Sequence, residues 1–129
     1  MSAKGPHAQV PQLASLARHW NCKLTTTGRK SRAPRSVTIW FAPGDGCIYL
    51  TGGPEGPQWF RNARANPDVG LQIGATRLRG RARVVDDEVE AAAIRRRFTD
   101  RYLLARLSRL FGGYTRSVAV AVDQLRSAS

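Results

Sequence analysis

Four cations crowd into one short stretch of the chain: Arg29, Lys30, Arg32 and Arg35, with Gly28, Ser31 and Pro34 shaping the backbone around them. Like charges held this close repel, and an anion with several oxygens would relieve the repulsion. Arginine brings paired N–H donors, lysine a point charge, and the backbone amides near Gly28 and Ser31 could add more. A solvated turn with surplus charge explains the same spacing equally well. The string Gly28-Arg29-Lys30-Ser31 is not a nucleotide P-loop, because Arg29 stands where a glycine should precede the lysine.

A second set of cations, Arg77, Arg79, Arg81 and Arg83, recurs at period two, which places all four on one face of a strand, and Arg95, Arg96 and Arg97 follow. Such a stripe could track a phosphate backbone, so a basic β-barrel module binding nucleic acid is the rival from another class. Base-stacking aromatics are absent from this strand, whose other face carries Leu78, Gly80, Ala82 and Val84, and a solvated sheet face is the plainer reading. An anionic membrane surface is a third partner for the stripe. The whole chain has 21 Lys+Arg against 9 Asp+Glu, a formal net charge of +12, which calls for a polyanionic partner without choosing among these. Cys22 and Cys47 stand outside any C-x-x-C pair and read as two buried free thiols, and no metal site is expected.

The elements that must position these residues are short. Residues 1–9 read as a flexible tail, and residues 10–129 as a single domain. Val10, Leu13, Leu16, Ala17 and Trp20 have helical spacing and predict an amphipathic helix packed on the rest. Strands are expected at Lys23–Thr27, Ser36–Phe41, Cys47–Thr51, Asp68–Ile73, Arg77–Val85 and Ser117–Val122. Pro43-Gly44-Asp45-Gly46 should turn the second of these back into the third as a hairpin, and Gly74 should join the fourth to the fifth. A short helix is expected after Pro57, ending before Pro67. Another should begin at Asp86-Asp87-Glu88, where negative charge suits the helix dipole, and run through Phe98 towards Phe111 until Gly112-Gly113 stop it. About six short strands with few helices define a mainly β, α+β chain whose sheet closes into an antiparallel barrel. No stretch has the apolar run of a signal peptide or of a membrane-spanning helix, so a cytoplasmic location is expected, with the inner face of the membrane as a second site.

The segment Leu24-Thr25-Thr26-Thr27-Gly28-Arg29-Lys30-Ser31, then Pro34-Arg35, a glycine-rich loop, Pro57-Gln58-Trp59-Phe60-Arg61-Asn62 and Arg64-Ala65-Asn66-Pro67 resembles the deazaflavin-dependent nitroreductase family in order and spacing. The resemblance covers roughly residues 20 to 85. It implies a split β-barrel that binds coenzyme F420, with FMN the second choice. The family transfers hydride from the reduced deazaflavin to quinone-like, nitroaromatic or other activated small-molecule acceptors, as a monomer or a homodimer. The F420 tail carries a phosphate and glutamate carboxylates. By resemblance, Arg29, Lys30, Ser31 and Arg35 match the motif at that tail, while Ile39, Trp40, Leu50, Thr51, Gly52, Gln58, Trp59 and Asn62 fall where the family surrounds the deazaflavin. The cofactor carries the hard step, and Tyr114 is the candidate proton donor, with Tyr102 beside it; solvent could serve instead. A non-catalytic F420- or FMN-binding protein on the same fold is the further alternative. Two departures stand out. Arg32 takes the place of a usual glycine, and residues 98–116 lack the family's tyrosine cluster.

Overall fold

The computed structural model describes residues 13–53, 56–102 and 117–128. The expected tail at 1–9, Val10, the stretch Leu103–Phe111 and Tyr114 lie outside the described residues.

Seven strands, β1 (Asn21–Thr27), β2 (Pro34–Trp40), β3 (Ala42–Pro43), β4 (Ile48–Gly52), β5 (Asp68–Ile73), β6 (Thr76–Val84) and β7 (Val118–Ser127), form one sheet. The order is β2-β1-β5-β6-β7-β4-β3, and every neighbouring pair is antiparallel. The two ends of this order, β2 and β3, are separated in the chain by Phe41 alone. A sheet whose opposite edges are tethered by one residue must curl until those edges meet, which produces the split antiparallel barrel.

The expected hairpin of Ser36–Phe41 with Cys47–Thr51 is corrected. Its turn forms, with the Gly44 amide donating to the Cys47 carbonyl at 2.9 Å. Its ladder is only two pairs long, Ala42 opposite Tyr49 and Pro43 opposite Ile48. Pro43 has no N–H to extend it. β2 instead pairs with β1 along its length, from Asn21 opposite Trp40 to Thr27 opposite Pro34. β4 takes its partner from far along the chain, Ile48 to Gly52 running against Val122 to Val118 of β7.

Two cores share the sheet. Inside the barrel, Leu24 of β1, Ile48 and Leu50 of β4, Val69 and Leu71 of β5, Leu78 of β6 and Val120 and Val122 of β7 pack together with Phe41. The opposite face of β7 offers Ala119 and Ala121, small enough for a helix to lie close, and there α2 (Glu88–Arg101) buries Ala91, Ile94 and Phe98. Strand alternation thus divides one strand between two cores. Gly80 is needed where β6 crosses β7: a Cβ there would meet Val122 at 2.6 Å and the Asp123 carbonyl at 2.8 Å. The ladder is irregular at the same point, between Arg79 and Arg81.

The two later helices start where the sequence predicts, but α2 ends at Arg101, where Tyr102 turns extended, rather than running on towards Phe111. The Asp87 carboxylate caps α2 by accepting from the Glu90 amide at 2.8 Å, and α1 (Gln58–Ala65) follows Pro57. The expected N-terminal helix is corrected to a 3-10 helix at Leu13–Arg18. Leu13 and Leu16, three apart, satisfy the tighter period as well, and Trp20 lies outside the helix with 59% of its surface exposed. Both cysteines are free and buried, and burial pushes the Cys22 thiol up to about 12. Among the described residues no helix is long and apolar enough to cross a membrane.

Candidate active site

The β1–β2 hairpin carries the basic loop and turns its cations towards α1. The loop is self-bracing: the Gly28 amide donates to the Ala33 carbonyl at 2.8 Å, the Arg32 amide to the Gly28 carbonyl at 3.1 Å, and the Ala33 amide to Ser31 Oγ at 3.1 Å. Gly28 cannot carry a side chain in this arrangement, since a Cβ would lie 2.6 Å from Ser31 Oγ. Ser31 is therefore partly a brace for the turn.

Arg32 adopts φ 60°, the left-handed region that favours glycine, so the turn carries a strained residue. A β-branched replacement should tolerate this poorly. Arg32→Val is expected to lose about 1–2 kcal/mol in chemical denaturation, whereas Arg32→Gly, which trades backbone strain for greater freedom in the unfolded chain, should stay within about 0.5 kcal/mol of the parent. Equal losses in both variants would show that the left-handed turn is not maintained.

Between this loop, the inward face of the hairpin and α1 lies an open cleft of about 660 Å³. Lys30 and Arg35 line it from one side, joined by Arg29 and Ser31; Gln58, Trp59 and Asn62 line it from α1. Among the described residues the lining contains no carboxylate. Thr26, Gly28, Pro34, Ser36 and Val37 complete the walls, and Val37 is 38% exposed although large and apolar. Gly28 and Pro34 belong to the basic loop; sequence reasoning missed Thr26, Ser36 and Val37. Thr26, opposite Arg35 in the register, and Val37, opposite Leu24, were legible in principle from the period-two alternation that puts Cys22 and Leu24 in the core.

Seven of the expected site residues are thus brought together, and five are not among the lining residues. Leu50 is 1% exposed and belongs to the barrel core, with Ile39 packed against that core. Gly52 sits directly behind the site, where a Cβ would meet the Pro57 ring at 2.8 Å and the Trp59 indole at 3.1 Å; Thr51 precedes it on β4. Trp40 faces the helix side of the sheet and stacks on Tyr102 at 4.3 Å, with the ring planes 6° apart. Tyr102 is likewise away from the lining: its hydroxyl donates to the carbonyls of Trp20 (2.6 Å) and Phe41 (2.7 Å), and burial raises its pKa. It is a packed tyrosine.

The basic stripe on β6 is partly neutralised. Arg79 pairs with Asp68 at 3.1 Å, and Arg83 reaches Glu90 at 2.9 Å and Asp123 at 3.0 Å. Two of the four arginines needed to track a polyanion are therefore bound to carboxylates of the protein itself, which favours the loop cleft over the strand face as the anion site.

Fold and cleft together define a split-barrel protein with a basic site between hairpin and helix. The chain belongs to the F420H2-dependent quinone reductase family, whose model matches residues 10–121. It is 40% identical over 60 residues to an F420H2-dependent quinone reductase of Mycobacterium tuberculosis (strain H37Rv), a match that covers 43% of this chain and spans about 40% of the relative's length. Among solved structures, one described as an F420 reductase superposes with a TM-score of 0.60 at 23% identity, covering 93% of this chain and 97% of the other. An F420-H2-dependent reductase gives 0.62 at 24% identity, covering 80% and 93%. These likenesses bear out the split-barrel expectation.

Proposed function

We propose that the chain binds coenzyme F420 in the cleft and acts as an F420H2-dependent oxidoreductase on quinone-like, nitroaromatic or similarly activated small acceptors. The observation that carries this reading is the convergence of Lys30 and Arg35 on a space with apolar walls and, among the described residues, no carboxylate. A ligand that is anionic at one end and a flat ring system at the other matches both features.

The residues fit such a group. Lys30 and Arg35 hold the phosphate and acidic tail, with Ser31 fixing the turn that presents them. Trp59 and Val37 supply apolar walls along the ring, while the Gln58 amide nitrogen is offered to its polar edge. When bound, the reduced deazaflavin supplies a hydride, and a proton completes the reduced acceptor. No carboxyl, imidazole or tyrosine lines the cleft among the described residues. That proton therefore comes from water through the open mouth or from Tyr114, the donor expected from sequence.

The test is a fluorescence titration with oxidised F420 and, separately, FMN, followed by quinone-dependent reoxidation of F420H2. Saturable F420 binding and restored F420 absorbance on adding a soluble naphthoquinone are expected. FMN binding alone would reassign the cofactor, F420 binding without turnover would make the protein a carrier, and no binding of either at low ionic strength would overturn the proposal.

A further inference from the structure

Among the cations of the loop, Arg29 is held unlike the others. Its Nη1 donates to Asn62 Oδ1 at 2.9 Å and its Nη2 to Gln58 Oε1 at 2.8 Å. Gln58 and Asn62 are four residues apart, so their side chains project from one face of α1, one turn above the other. A planar guanidinium with two parallel N–H groups spans such a pair; a lysine ammonium does not. Nη1 also lies 3.5 Å from the Gln58 carbonyl. Asn62, 6% exposed, passes the connection on, its Nδ2 donating to Thr26 Oγ1 at 3.3 Å, and Thr26 is opposite Arg35 in the hairpin. The chain of contacts therefore runs from the loop to the helix and back to the strand that presents Arg35.

Electrostatics alone would not place Arg29 here. It approaches the first turn of α1, the positive end of the helix dipole, and that turn contains no acidic residue. The helix is eight residues long and its N-terminus, at Pro57, has no side-chain cap; Trp59, Phe60 and Ala63 anchor its buried face in the barrel core. What the Arg29 hydrogen bonds add is a directional link from the side facing the loop, through two amide oxygens.

We propose that Arg29 is a positioning residue: it ties α1 to the basic loop and sets the width of the cleft, leaving Lys30 and Arg35 as its anion-contacting cations. This rests on the F420 reading for its functional consequence, because the tie would couple the grip on the cofactor's tail to the placement of Trp59 beside its ring. It also revises the expectation that Arg29 meets the tail directly.

The experiment uses Arg29→Lys, which keeps the charge and removes the fork, in the parent and in a Gln58→Ala/Asn62→Ala background. In cofactor-free protein the substitution should lower Tm by about 3–6 °C in the parent and leave it unchanged in the background that lacks both acceptors. F420 affinity should fall about three- to tenfold with the ionic-strength dependence of binding unaltered, while Lys30→Ala should flatten that dependence. An equal Tm loss in both backgrounds, or none in either, overturns the tie. So does an Arg29→Lys protein with parental stability and F420 affinity, which would make Arg29 an interchangeable cation. Failure of the parent to bind F420 would sink the cofactor assignment alone, since the stability cycle is read without cofactor.

Discussion

Replacing Lys30 and Arg35 together by alanine should weaken F420 binding about a hundredfold while leaving the fold intact. Both side chains line the cleft, and among the described residues neither has a carboxylate partner. Their donors are available to a ligand without breaking any existing ion pair. A charge-assisted hydrogen bond to phosphate is worth about 1.5–3 kcal/mol, and because both groups are exposed to solvent the lower end applies, about tenfold each. The two contacts come from different parts of the loop, so their effects should roughly add. The same double variant should lose most of the salt sensitivity of binding. Isothermal titration at two ionic strengths reads both quantities. An affinity within about threefold of the parent would remove the basic loop from the binding site, whatever the variant's effect on turnover.

Arg101→Met should be the most destabilising single change considered, at about 3 kcal/mol, or about 10 °C in Tm. Arg101 closes the barrel at the point where the chain crosses from one sheet edge to the other. Its guanidinium donates to the carbonyls of Ala17 (3.1 Å), Phe41 (2.9 Å) and His19, and to the Tyr102 hydroxyl at 3.0 Å. It also lies over the rings of Trp20, Phe41 and Tyr102 at 4.9–5.1 Å from their centroids. Methionine keeps the stem but removes every donor, leaving the part-buried carbonyls of Ala17 and His19 without the guanidinium that joins them to Phe41. The residue does not line the cleft, so at a temperature where the variant is folded its F420 affinity should equal the parent's. Thermal unfolding with a parallel titration separates the two. A large affinity loss in the folded variant would mean that the crossing and the cleft are coupled, contrary to their separation here.

Much of this was legible in the residues. The basic loop, α1 after Pro57, the Asp87 start of α2 and the β5–β6 hairpin all follow from local chemistry, and local chemistry is what a sequence displays. What stayed hidden was pairing at long range. The turn at Pro43–Gly46 is real, yet nothing near it says that β2 will leave for β1 or that β4 will wait for β7. The Leu13/Leu16 spacing fits two helix types, and only packing selects between them. In the site, residue types identified the cations but not their obligations. Arg29 and Arg35 look alike in sequence, and only the position of α1 shows that one is tied to amide oxygens while the other faces the cleft. Arg101 carries no signal at all, standing among several arginines of α2 as one more solvated charge.

The single-residue crossing at Phe41 and the late partner of β4 also bear on how the chain comes to be folded as it is made. β1, β2, α1, β5 and β6 can assemble as the chain emerges, with β3 and β4 looped out between them, because each strand pairs with one already present or next to follow. The β3–β4 ribbon, although synthesised early, has only a two-pair ladder until residues 118–127 slot between it and β6. During that interval Ile48 and Leu50 have an incomplete core and β4 an open edge, the kind of surface on which chaperones and misassembly compete. The basic loop can thus be ready well before the barrel that supports it is shut, and a ligand that binds it would, if present during synthesis, find its first contacts on a protein not yet closed.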